Sequence, residues 1–124
     1  MKEAKEPLAK FQAKVNKDGR VSIPKQIKDV LRLEPDDYLK VIIRKIQTNK
    51  EEGVIYVYGQ AFVVVRVGIR GYIVIPQRIR RDLNLGTNES VEVVILDYYP
   101  STTDPKELEK LTSSTRFKYL FLNV

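Results

Sequence analysis

The sequence repeats itself without a gap, because residues 11–46 align on residues 63–98 and each position corresponds to the one 52 residues later. A unit that is used twice usually cannot bury its apolar face alone. Only Gly59 and Gln60 separate the copies, which indicates two repeats interlocked in one domain. The nine identical pairs are Val15/Val67, Gly19/Gly71, Ile23/Ile75, Pro24/Pro76, Ile27/Ile79, Leu31/Leu83, Leu33/Leu85, Val41/Val93 and Ile43/Ile95.

The composition argues against several function classes. The 124 residues include no histidine and no cysteine, so the commonest general base and the usual zinc ligands are missing. We therefore expect a protein that is not an enzyme and holds no metal or cofactor. No apolar run approaches the roughly 20 residues that span a bilayer, and residues 1–10 resemble a flexible charged arm more than a signal peptide. These features predict a cytoplasmic protein without a membrane partner.

Positive charge is concentrated in the first half of each repeat. The formal net charge is +6, and six basic residues but two acidic ones lie within residues 14–32. Residues 66–84 carry five arginines and one acid, Asp82. Such clusters are typical of surfaces that bind a polyanion, although an ordinary solvated surface has a similar composition.

Both repeats predict the same order of elements, which is two strands joined by a turn, a short helix and a long strand. Alternation of apolar residues predicts the strands, Asp18-Gly19 is a strong turn signal, and a proline begins each helix. In the first repeat the predicted strands are 11–16, 20–23, 39–46 and 54–58, with a helix from Pro24 to about Leu31. In the second they are 63–67, 72–75 and 90–98, with a helix over 76–83.

The chain after the second repeat is predicted to form an extension over residues 100–124. Asp104-Pro105 can begin a short acidic helix that reaches about Leu111. The apolar run Phe117–Val124 then predicts a last strand. Val64, Val74, Val94 and Leu96 are apolar on the outward face of the second repeat, so this strand or a second chain is expected to cover them.

A family resemblance lies in Val15-Asn-Lys-Asp-Gly-Arg-Val-Ser-Ile-Pro-Lys-Gln-Ile27 and in Leu31-x-Leu33-x-Pro35-x-Asp37, a pattern that residues 67–81 repeat. This pattern resembles the AbrB/MazE/SpoVT family of swapped-hairpin DNA-binding domains. The resemblance implies a mainly β fold with short helices, in which two copies exchange hairpins to close one β-barrel. Here residues 11–58 and 61–124 would form that barrel as a pseudo-dimer within one chain.

The resemblance also implies which residues contact DNA, namely basic residues of the first strand, the turn and the helix. The candidate DNA-binding residues are Lys14, Arg20, Lys28, Arg66, Arg70, Arg80 and Arg81. Tyr72 stands where the second repeat would repeat Arg20, and Asp29 stands where the first would carry the counterpart of Arg81. The two halves are therefore expected to contribute unequally, the all-arginine second repeat reading bases or shape and the first mainly holding phosphate.

The leading hypothesis is a transcriptional regulator, associated with the nucleoid, that binds double-stranded DNA and is able to form a homodimer. Two alternatives remain open. One is an antitoxin of the MazE type with a toxin partner, and the other is a protein-interaction barrel that binds no DNA. Lys40, Arg44 and Lys45 are predicted to be surface residues or to protect a sheet edge.

Overall fold

A computed structural model describes residues 6–112, which form a mainly β fold with short helices, as the sequence predicts. The elements in chain order are β1 Ala9–Lys14, β2 Arg20–Ser22, α1 Lys25–Leu31, β3 Tyr38–Asn49, β4 Val54–Arg66, β5 Tyr72–Val74, α2 Gln77–Asp82, β6 Ser90–Tyr99 and α3 Pro105–Thr112. Within this range no helix has the length and apolar character needed to cross a membrane. The predicted last strand, Phe117–Val124, lies outside the described residues.

The strands form two antiparallel sheets, and each sheet combines both repeats. The larger sheet has the order β1-β6-β3-β4, and the smaller one consists of β2 and β5. First-repeat strands β1 and β3 thus both pair with β6 of the second repeat, and β2 pairs with β5. Neither repeat therefore completes a sheet alone.

The two repeats are related by symmetry in the strand pairing, because equivalent positions of the repeats pair with each other. Val21 pairs with Ile73, and Ile42 pairs with Val94, which are in both cases the same position of the two repeats. The backbone amide of Ile23 donates to Gly71 O at 3.0 Å, and its counterpart Ile75 donates to Gly19 O at 2.9 Å. The sequence repeat therefore becomes two matching halves that meet at the centre of each sheet.

One face of the larger sheet packs against the smaller sheet and α2 to form the core. Odd-numbered residues of β1, of β6 up to Ile95 and of β4 from Ala61 point to this face, as do Leu39, Val41 and Ile43 of β3, and they alternate with the residues of the opposite face. In the smaller sheet Val21 and Ile73 are fully buried against them, and Ile79 of α2 is buried as well. The core cluster of buried residues is Phe11, Val15, Val21, Ile23, Leu39, Val41, Ile43, Val65, Val67, Ile73, Ile75, Ile79, Leu85, Val91, Val93 and Ile95.

The expectation of one closed barrel is wrong for the described residues, whose hydrogen bonds form two separate sheets. Strands β2 and β5 are only three residues long. They connect to β1 and β4 through turn hydrogen bonds, from Asn16 N to Arg20 O at 3.0 Å and from Gly68 N to Tyr72 O at 2.7 Å. The short strands therefore end before a continuous ladder can join the two sheets.

The junction between the repeats lies inside a strand, whereas the sequence predicts two strands there. Strand β4 runs through Gly59 and Gln60 without a break. Its pairing with β3 shifts between Lys45 and Ile46, so that Tyr58 is left over in the register. A bulge of this kind accommodates a glycine within a strand, which explains why the glycine does not end the strand.

The prediction that Lys40 lies on the surface is also wrong. β3 is a central strand between β6 and β4, and Lys40 is fully buried. Arg44 is largely buried too and forms a 3.3 Å ion pair with Glu92 of β6. Lys45 donates from Nζ to Asn84 O at 3.0 Å. Lys40 and Arg44 therefore belong to the packing of the sheet, and none of the three side chains protects an edge, because β3 is a central strand.

Substitution at the centre of the smaller sheet tests whether both repeats depend on one core. We expect Ile73→Ala to lower the free energy of unfolding by about 2–5 kcal/mol, because it opens a cavity where Ile73 packs with Val21. Chemical denaturation followed by circular dichroism measures this loss. Val74→Ala, at a 43% exposed neighbour, is the control and should change stability by less than about 0.5 kcal/mol. Two separate transitions would contradict a shared core.

Candidate nucleic-acid interface

The turn between β1 and β2 is closed by Asn16. Its Oδ1 accepts hydrogen bonds from the backbone amides of Asp18 at 2.9 Å and Arg20 at 2.8 Å. Gly19 donates its amide to Asn16 O at 3.0 Å and has a φ of 76°, which glycine adopts without strain. The turn thereby places Arg20 at the start of β2 with its side chain exposed.

The turn between β4 and β5 has the same backbone shape but different side chains. Gly71 has a φ of 76° and donates to Gly68 O at 3.0 Å, as Gly19 does to Asn16 O. Gly68 replaces Asn16, and the ring of Tyr72 packs so closely on it that a Cβ there would lie 2.8 Å from the ring. Arg70 is exposed at the tip of this turn.

Each turn is covered by a basic side chain from the helix of the other repeat. The guanidinium of Arg80, from α2, lies over Gly19, and its Nε donates to Ile75 O at 3.0 Å. The Nζ of Lys28, from α1, lies over Gly71. We call the turn Asn16–Arg20 with Arg80 the first basic cluster, and the turn Gly68–Tyr72 with Lys28 the second basic cluster.

This arrangement differs from the grouping that the sequence suggests. The sequence assigns Arg70 and Arg80 together to an arginine-rich second half. In the structure Arg80 completes the turn that carries Arg20, whereas Arg70 lies on the turn that Lys28 covers. Each cluster therefore contains side chains of both repeats, because the β2–β5 pairing brings each turn beside the opposite helix.

The two halves differ where β2 and β5 meet. The Cζ of Arg20 lies 4.5 Å from the centre of the Tyr72 ring, so the residues at one repeat position stack on each other across the two strands. Such a cation–π contact holds the guanidinium against the ring and leaves its edge available for hydrogen bonds. The sequence marks Tyr72 as a departure from the pattern but gives no sign of this contact.

Lys14 and Arg66 lie apart from the two basic clusters, on the outer face of the larger sheet. Arg66 is opposite Tyr38 in the β3–β4 pairing, donates a hydrogen bond to the Tyr38 hydroxyl and lies 4.8 Å above its ring. That hydrogen bond raises the pKa of Arg66. Lys14 lies opposite Ser90, which offers no ring for stacking. The structure thus holds one of these side chains much more firmly than the other.

The charges of the basic clusters are not neutralised within the part of the chain that the structure describes. No ion pair there involves Arg20, Lys28, Arg70, Arg80 or Arg81. Arg81 is exposed on α2, next to Arg80 in sequence. No group of three or more potential metal-ligating side chains occurs among residues 6–112. The described surface therefore offers cationic donors and no evident metal site.

The chain is similar to a protein whose structure has been solved. It resembles PHS018 from Pyrococcus horikoshii. The solution structure of that protein matches with a TM-score of 0.65 and 25% sequence identity, over 80% of this chain and 100% of that chain. No family model and no curated protein matches the sequence. The likeness to PHS018 therefore supports the fold.

Three glycines have a positive φ, and basic side chains cover two of them. Comparing their alanine variants separates the loss of stability from backbone strain from the loss caused by displacing a cation. Gly53 has a φ of 67° and open space around it, whereas Gly19 and Gly71 are covered by Arg80 and Lys28. We expect Gly53→Ala and Gly71→Ala to cost about 1–2 kcal/mol each, because the Lys28 chain end can move aside. Gly19→Ala should cost about 1 kcal/mol more, because it breaks the hydrogen bond of Arg80 to Ile75.

Thermal and chemical unfolding of the three single variants measure these differences. Gly53→Ala serves as the matched control, since it changes only the backbone cost. Equal losses at Gly19 and Gly53 would show that Arg80 is not held over the first turn.

Proposed function

We propose that this protein binds double-stranded DNA and acts as a transcriptional regulator of the AbrB type. The observation that supports the proposal is the pair of composite basic clusters at the two ends of the β2–β5 sheet. Each presents a turn with a cationic helix residue laid over it, and the exposed Arg20 of the first cluster stacks on Tyr72 of the second. Both are built at equivalent positions of a repeated sequence.

DNA suits such a surface because its backbone is a dense line of negative charge that repeats at regular intervals. Lysines and arginines that neutralise phosphates release counterions, which favours binding of any sequence. Two equivalent clusters are suited to hold two phosphate segments. α1 and α2 have only seven and six residues, so turns and strand residues would provide most contacts. We therefore expect strong dependence on DNA shape as well as on base contacts.

The proposed architecture is an intramolecular version of the swapped-hairpin pseudo-dimer that the family resemblance implies. Strands of one repeat complete the sheets of the other, and each helix covers the other repeat's turn. The halves are unequal, since Arg20 and Tyr72 occupy one repeat position and Lys28 and Arg80 occupy another. An operator with imperfect twofold symmetry would match such a surface.

The proposal predicts that the two helix cations that cover the turns dominate DNA affinity. We expect Lys28→Ala combined with Arg80→Ala to weaken binding to a fluorescent mixed-sequence duplex by about 10- to 100-fold at 0.1 M salt. The slope of log affinity against log salt should fall by about 2, one unit for each lost phosphate contact. Fluorescence anisotropy over a range of salt concentrations measures both quantities.

The matched control is Lys25→Ala combined with Arg78→Ala. It removes the same charge from exposed positions of the same two helices. Circular dichroism and thermal unfolding check that each variant is folded. An equal loss in both double variants would mean that net charge alone is responsible. Absence of salt-dependent binding by the unaltered protein would favour a protein-interaction module instead.

The stacking of Arg20 on Tyr72 predicts a smaller, separate effect. Tyr72→Leu keeps apolar volume over Gly68 but removes the ring, so Arg20 loses about 0.5–1 kcal/mol of cation–π stabilisation. We expect DNA affinity to fall by about two- to fivefold, because ordering Arg20 then costs free energy on binding. Tyr56→Leu, which removes a ring whose hydroxyl donates a hydrogen bond to Glu52, is the control and should leave affinity unchanged. A Tyr72→Leu protein with full affinity would contradict the role given to the stack.

A further inference from the structure

The end of the hairpin formed by β3 and β4 extends beyond the rest of the larger sheet. β6 pairs with β3 only as far as Lys45, whereas β4 continues alongside β3 to the pair of Asn49 and Val54. Beyond Lys45 the sheet therefore has only two strands among the residues that the structure describes. A ribbon of two strands is marginally stable in water and usually needs further strands or a packed face. We call the segment Val54–Tyr58, which is one strand of this ribbon, the ribbon edge.

The ribbon edge is apolar and exposed along its whole length. Its residues are Val54, Ile55, Tyr56, Val57 and Tyr58, and each is between 39% and 61% exposed. β-Branched and aromatic side chains of this kind favour strand pairing. They lie on β4, which has β3 as its only strand neighbour among residues 6–112. An edge strand has unpaired backbone N–H and C=O groups, which are able to pair with another strand.

The two edges of the larger sheet differ in charge. β1 forms the other edge, and its six residues include the exposed lysines Lys10 and Lys14. Charged residues on an edge strand hinder its pairing with the edge of another sheet. β4, in contrast, has neither a charged residue nor a proline between Val54 and Val65. The sequence therefore protects one edge against pairing and leaves the other unprotected.

We propose that the ribbon edge pairs with the ribbon edge of a second copy of this chain, antiparallel and with Tyr56 opposite Tyr56 of the other copy. This register places Val54 opposite Tyr58 and Ile55 opposite Val57, so all five exposed side chains gain a cross-strand neighbour. A twofold axis relates the copies and brings identical residues together at its centre. An uncharged segment meets this condition, because a charge at the centre would face an identical charge.

The charges beside the ribbon edge are complementary in this register. The turn of each copy carries Glu51 and Glu52, which come beside Ala61 and Gln60 of the other copy when the pairing continues. Gln60 lies opposite Arg44 of β3 and accepts a hydrogen bond from its Nε at 3.2 Å. The acidic turn of each copy thus approaches a basic part of the other. This attraction offsets part of the repulsion between two chains that each carry a net charge of +6.

The pairing also fixes how the two copies are oriented. Its twofold axis is perpendicular to the sheet, because it reverses the strand direction and keeps each side chain on its own face. The two four-stranded sheets then form one continuous sheet with both smaller sheets on the same side. The association does not depend on DNA binding. If the proposed function is correct, the dimer has the basic clusters of both copies on one side.

Substitution of the central residue tests the association. Edge pairing buries less surface than a standard protein interface, so we expect a dissociation constant of roughly 10–500 µM. Sedimentation equilibrium of the full chain without DNA measures it, as a rise in average mass from one chain toward two. Tyr56→Lys should weaken association by at least about fivefold, because the two lysines lie opposite each other.

The matched control is Gln12→Lys. It adds the same charge at an exposed position of the β1 edge and should leave association unchanged. Circular dichroism checks that both variants are folded. A full chain that stays monomeric up to about 500 µM would overturn the proposal and leave the ribbon edge to an extended segment of another protein. Equal association of the two lysine variants would overturn it as well.

The register can be tested separately, because the chain contains no cysteine. Tyr56→Cys should form a disulfide-linked dimer on mild oxidation, since the pairing places the two Cα atoms within the roughly 4.4–6.8 Å that a disulfide requires. Ile55→Cys should link to Val57→Cys in a mixture more readily than to itself. Gln12→Cys is the control for random collision and should form little linked dimer.

Linkage of Gln12→Cys as readily as Tyr56→Cys would overturn the proposal, because collision alone would then explain the product. Preferential linkage of Ile55→Cys to itself would overturn the register with Tyr56 at its centre. None of these measurements contains DNA, so their failure would not count against the proposed function.

Discussion

The structure depends on the pairing of each repeat with the other at equivalent positions. Val21 meets Ile73 in the smaller sheet, and Ile42 meets Val94 in the larger one. This constraint decides which turn each helix covers, because the pairing of β2 with β5 places Gly19 under Arg80 and Gly71 under Lys28. The core and the candidate interface are thus two results of one register.

Much of the fold could be predicted from the sequence because its signals are local. Alternation marked the strands, glycine marked the turns, and Asp104 was expected to begin the helix that the structure places at Pro105–Thr112. The Oδ1 of Asp104 accepts a hydrogen bond from the backbone amide of Lys106 at 2.8 Å. The continuity of β4 does not follow from the sequence, because Gly59 and Gln60 resemble a linker unless the bulge opposite Lys45 is known.

The candidate site was harder to predict, because its geometry depends on contacts between distant segments. The basic residue types and the turns were evident, but the grouping of Arg80 with the first turn required the strand pairing. Tyr38 and Tyr72 hold Arg66 and Arg20, and nothing local in the sequence marks either tyrosine as a partner. The burial of Lys40 does not follow from the sequence either, since a lysine in an alternating strand usually points to solvent.

The passage of β4 through the repeat junction has a consequence for how such a protein changes over generations. In a dimer of two identical subunits every substitution appears in both subunits at once, and an obligate dimer also loses stability on dilution. A strand that joins both halves makes their association intramolecular, so its strength no longer depends on protein concentration. Each half is then free to diverge by itself, as the exchange of an arginine for a tyrosine at one shared position illustrates.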